Sequence, residues 1–101
     1  MSRYTYTIPS NTWAWGFDEA LNEFFFQKFD NYPFDLYDEE NPDDTIFSVS
    51  NRFTTKEHPD FPGKTDWSNL ELVKLMTSEM EEHEFEIPVE HIAAIRSDRP
   101  F

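Results

Sequence analysis

The sequence sets 21 Asp and Glu against 8 Lys and Arg, so carboxylates are the residues through which this chain would do chemistry. Paired carboxylates run general acid–base catalysis, and clusters of them hold hard cations such as Mg²⁺ and Ca²⁺. With so many acids, some pairs fall close together by chance, so acidity alone identifies neither activity. The histidines are His58, His83 and His91. They add one helical ligand spacing, Glu79 with His83 at i, i+4. Asp38–Asp44, DEENPDD, lacks the alternation and central Gly of an EF-hand loop. The absence of Cys removes thiolate nucleophiles, thiolate metal sites and disulfides together. No G-x-S-x-G occurs, and two glycines, Gly16 and Gly63, are too few for a phosphate-cradling loop. The residues therefore argue for a non-enzyme with no catalytic residues, no metal and no cofactor.

The net charge is −13, and its placement says more than its size. Residues 30–44 contain Asp30, Asp35, Asp38, Glu39, Glu40, Asp43 and Asp44 and no basic residue. Residues 79–90 contain Glu79, Glu81, Glu82, Glu84, Glu86 and Glu90 and no Lys or Arg. These two blocks supply the whole excess, because the remaining 8 acids match the 8 Lys and Arg. Thirteen phosphates span roughly 22 Å of duplex DNA, and a domain of this length is about 30 Å across. Such a surface repels nucleic acid and anionic lipid and attracts surfaces built to bind them. Direct nucleic-acid binding needs a basic footprint that these scattered cations do not make.

In charge and length the chain resembles the DNA-mimic inhibitors of phages and plasmids: anti-restriction, anti-CRISPR and uracil-glycosylase inhibitor proteins. These share no common fold or motif, and the likeness rests on the two acidic blocks. It implies an acidic protein-binding inhibitor, phage or plasmid encoded, that mimics nucleic-acid phosphates and blocks a DNA- or RNA-binding or -processing protein. The thirteen carboxylates of the two blocks are then the partner-binding residues, and the partner is a basic nucleic-acid-binding protein. The alternative is an acidic accessory or regulatory subunit that meets a protein partner through an aromatic surface of Trp13, Trp15, Phe26 and Tyr37. A third possibility is plainer, since added Asp and Glu also simply favour solubility. MSRYTYTIPS holds no apolar core of signal-peptide length, and no apolar run nears the ~18 residues of a membrane span. The compartment expected is the cytoplasm, with no membrane partner.

These acids need a scaffold, and the aromatic residues, 18% of the chain and 11 of them Phe, supply it. The length is that of a single domain, residues 1–101. Tyr4–Ile8 alternates as a strand that Pro9 ends. Trp13 and Trp15 read as core anchors or a short strand. Phe17, Leu21, Phe24, Phe25 and Phe29 fall at the 3/4 spacing of an amphipathic helix over 17–29. Asn41–Asp44 is a turn, and Thr45–Phe53 a strand with Phe47, Val49 and Phe53 on one face. Ser68 and Glu71 form a capping box opening a helix to Glu82, with Leu72, Val73, Met76 and Met80 inward and Leu70 or Trp67 as a staple. Residues 84–87, EFEI, alternate as a strand, and Pro88 opens a short helix through Arg96. The expected fold is α+β: a short antiparallel sheet of about three strands, two amphipathic helices and a short C-terminal helix.

Overall fold

The computed structural model describes residues 2–30 and 45–101; Met1 and residues 31–44, with the turn expected at Asn41–Asp44, lie outside the described residues. The fold is α+β. Four strands, β1 (Tyr4–Thr7), β2 (Asn11–Asp18), β3 (Glu23–Asp30) and β4 (Thr45–Ser50), pair antiparallel in chain order. Two helices follow, α1 (Asn69–His83) and α2 (Val89–Arg96).

The helix expected over 17–29 is instead the second β-hairpin, so among the described residues the sheet has four strands rather than three and the helices number two. The turn is built by Asp18, whose Oδ1 accepts from the backbone N–H of Ala20 and Leu21 at 3.0 and 3.4 Å, and by Asn22 at φ 52°. Asn tolerates that left-handed conformation better than most residues. Phe24, Phe25 and Phe26 then alternate across the sheet, all three buried. An aromatic run buried on both faces has no polar partner to reveal its period of two, and its members fall equally onto a helical stripe.

One sheet face carries Trp13, Trp15, Phe17, Phe24, Phe26, Phe47 and Val49, set opposite one another by the register Trp15↔Phe26, Phe17↔Phe24 and Phe26↔Val49. The helices cover this face with Leu72, Val73, Leu75, Met76 and Ile95. The capping box forms as expected, with Glu71 N–H donating to Ser68 Oγ at 3.1 Å and Ser68 N–H to Glu71 Oε1 at 3.0 Å. Trp67 is the buried residue ahead of the helix, while Leu70 is 53% exposed. On the hairpin, a Cβ at Gly16 would overlap the Ser2 carbonyl. Ser2 reaches this close because it donates its N–H to the Phe17 carbonyl, and only Gly leaves it room.

Residues 84–87 form no strand. Glu84 ends α1 in a left-handed conformation at φ 56°, and the segment lies over the sheet rather than joining its ladder. Phe85 and Ile87 are nevertheless buried and Glu84 and Glu86 exposed. The alternation thus marked burial correctly without implying pairing. Strand β4 stops at Ser50, where Ser50 Oγ accepts from the Arg52 and Phe53 N–H groups and leaves Phe53 53% exposed.

Candidate functional site

Helix α1 runs along β3 in the same sense. Asn69 at its start accepts from Asn51 at 2.8 Å, beside the Phe24 end of β3, and Glu79 near its finish meets Lys28. The end of the fold holding the close of α1 is therefore also the end where β3 leaves at Asp30 and β4 enters at Thr45. These are the two points that flank residues 31–44.

A buried polar cluster ties this end together. Lys28 shares the helix-covered face with Phe24 and Phe26 by strand alternation. Its Nζ lies 3.0 Å from Glu79 Oε1 and 3.2 Å from His83 Nε2, which must accept, since an ammonium only donates. Trp13 donates Nε1–H to the same Glu79 oxygen at 3.1 Å. Glu79 is 5% exposed and Trp13 fully buried. Glu79, Glu82 and His83 place ligand atoms within 4.8 Å of one another, the spacing of a metal site. Lys28, however, already supplies the cation at Glu79 and His83, which explains the grouping without a metal.

The sequence-predicted site residues fall into three sets. Asp35, Asp38, Glu39, Glu40, Asp43 and Asp44, with Tyr37, lie outside the described residues. Glu79 is interior and structural. Asp30, Glu81, Glu82, Glu84, Glu86 and Glu90 are exposed. Of these, Asp30 closes β3, and Glu81, Glu82, Glu84 and Glu86 run from the last turn of α1 across the segment beyond it. Among the described residues, the cation drawn into this end is Lys28. Arg52, Arg96 and Arg99 sit instead toward the start of α1, where Asn69 donates to Asp98 at 3.0 Å. Acids and bases mix there. The aromatic surface expected from Trp13, Trp15 and Phe26 is absent, because all three are in the core: β-pairing turns them toward the helices.

Sequence reading missed a cavity of about 440 Å³ between β4, the 58–67 loop and α1. Phe47, His58, Phe61 and Trp67 form a contiguous aromatic row along it, with successive centroids 4.7, 5.2 and 5.5 Å apart. His58 Nδ1 accepts from the Asp60 N–H at 3.0 Å, so the neutral ring carries its proton on Nε2. Burial pushes the His58 pKa down. Trp67 is 4% exposed, and its Nε1–H has no acceptor among the described residues. A buried donor left unpaired costs about 1–3 kcal/mol. Lys64 lies 5.0 Å from the Trp67 ring centroid and 2.7 Å from Glu71 Oε2. That bond, with the Ser68 backbone N–H, lowers the Glu71 pKa to about 2. The available signal was Trp67 and Phe61 amid Pro59, Pro62 and Gly63. A loop rich in turn residues does not ordinarily spend two large aromatics unless it packs on something.

Comparison with known protein families, with curated proteins and with solved structures finds no match to this chain. Among the described residues no helix is long and apolar enough to cross a membrane.

Proposed function

We propose that the chain is an acidic inhibitor that binds a basic nucleic-acid-binding or -processing protein in place of its DNA or RNA. One observation carries the proposal. Glu81, Glu82, Glu84 and Glu86 of the second block gather at the end of the fold where residues 30–44 leave and return, while Arg52, Arg96 and Arg99 lie toward the other end. Charge added only for solubility has no reason to segregate. It does so here even at the C-terminus of α1, where carboxylates oppose the helix dipole. An anionic row fixed on a packed scaffold meets Arg and Lys of a partner through charge-assisted hydrogen bonds, with little ordering cost on binding.

The test is competition. The chain is immobilised, a bacterial lysate is passed over it, and bound protein is eluted with graded salt. Each eluted protein is then assayed for nucleic-acid binding with and without the free chain. The expected result is a partner that elutes as salt rises through roughly 0.1–0.5 M and whose nucleic acid the chain displaces. A partner that stays bound at high salt, or binds its nucleic acid and the chain together, contradicts the proposal.

A further inference from the structure

We infer that the cavity between β4, the 58–67 loop and α1 is a binding site for a small aromatic carboxylate. Its volume of about 440 Å³ lies within the range of small-molecule sites, which combine apolar walls with a few placed polar groups. The walls here are rings: Phe47, Phe61 and Trp67, with His58 stacked on Phe47 at an interplanar angle of 29°. Such walls favour a planar guest by offset or edge-to-face contact.

The polar groups choose its chemistry. Lining donors and acceptors are mostly spent on one another: Lys28 on Glu79 and Lys64 on Glu71. What remains among the buried lining groups is donors. Trp67 Nε1–H has no acceptor among the described residues. His58 has its Nδ1 occupied by the Asp60 N–H and keeps a proton to give on Nε2. Lys74, exposed at the rim of the cavity on α1, adds a positive charge that no ion pair among the described residues engages. A carboxylate brings two acceptor oxygens and one negative charge, and so answers both kinds of group at once. An amine would bring further donors to a site already in surplus. Asp60 and Glu82 line the same exposed rim as Lys74, so water screens all three charges and the two buried donors carry the preference for an acceptor-rich guest. Lys28, Glu79 and Glu82 border the cavity where it meets the acidic end, but the donors argued from here are Trp67 and His58, and the inference does not depend on the proposed inhibition.

The experiment follows indole N–H resonances by NMR while naphthoate, naphthamide or naphthylmethylamine is added to the full chain at roughly millimolar concentration, the range a fragment of this size reaches. Trp67→Phe assigns the Trp67 signal, and its melting curve reports whether the fold survives. Naphthoate should move the Trp67 resonance and leave those of Trp13 and Trp15 in place. Lys74→Gln should weaken naphthoate only about two- to threefold, the loss of one solvent-screened charge. Ser78→Phe, a change at an exposed lining position on α1, should abolish binding with the fold intact. It also keeps the test decisive if Trp67→Phe fails to fold. No Trp67 shift with any probe overturns the inference. So does binding that survives Ser78→Phe, or an amide or amine that binds as tightly as the carboxylate.

Discussion

Glu79 and Glu82 stand three residues apart on α1 and do opposite work. Glu79 is 5% exposed and holds Lys28 and Trp13. Glu82 has a side chain 66% exposed, its Oε1 4.0 Å from His83 Nε2, a nitrogen already engaged by Lys28. A carboxylate that the fold must neutralise is part of the core, and one it leaves in water is available to a partner. The same division separates Glu23, whose Oε2 accepts from Ser50 Oγ at 2.7 Å and Phe53 N–H at 3.1 Å, from Glu81, Glu84 and Glu86. Acid count alone therefore overstates the binding surface, and mutations at the two kinds of site should separate stability from binding.

The largest effect is expected at Glu79. Glu79→Ala strands Lys28 without its carboxylate and should cost about 3–5 kcal/mol in urea unfolding. The double replacement Lys28→Met with Glu79→Leu should recover most of that loss, because a buried ion pair is commonly no better than well-packed apolar residues. A Glu79→Ala loss no greater than that of an exposed site would erase the distinction. Next comes Glu23→Ala, which removes the acceptor closing the end of β4 and should cost about 1.5–3 kcal/mol in the same measurement.

A smaller effect should appear with pH. Trp15 donates Nε1–H to His91 Nδ1 at 3.0 Å, and protonating Nδ1 would remove that acceptor. Burial holds both His91 and His58 below the ordinary histidine pKa. The unfolded chain therefore takes up protons first as pH falls through about 6.5. Melting temperature should be steady above that pH and drop below it, and His91→Gln should flatten part of the drop while keeping an acceptor for Trp15. A still lower window belongs to Glu71. Its pKa of about 2 means that its contribution is present above about 4.5 and lost as pH falls toward 2. An unchanged melting temperature from pH 7 to 5 would show that the buried histidines do not couple to folding.

How far the sequence disclosed this arrangement depended on whether a local signal had one meaning. Ser68 and Glu71 fix a helix start by reciprocal hydrogen bonds, and α1 was legible from them. Tyr4–Thr7 and the opening of β4 showed through their residue types, and α2 through Pro88. Residues 17–29 misled because Phe24, Phe25 and Phe26 are all buried, on alternating faces, so apolar periodicity could not separate a stripe from a two-sided strand. The turn at Asp18–Glu23, with Asn22 at φ 52°, was the overlooked counter-signal. At the site, the acidic blocks were visible as charge. That Glu79 would be interior was not, because its burial depends on Lys28, 51 positions earlier in the sequence, arriving on the same face of the sheet. The cavity is likewise a product of three segments meeting, with only Trp67 and Phe61 to announce it.

The smallest effect on stability and the largest on function should come from the same protein. With a partner in hand, the direct measurement is its affinity for the wild type and for Glu81→Lys, Glu82→Lys, Glu84→Lys and Glu86→Lys combined, at low and physiological salt. Because each position is exposed, the variant should fold with a melting temperature near that of the wild type. It should bind at least about 100-fold more weakly, and wild-type affinity should fall as salt rises. Equal affinity for the two proteins, with no response to salt, would contradict a functional anionic surface and leave these carboxylates a role in solubility alone.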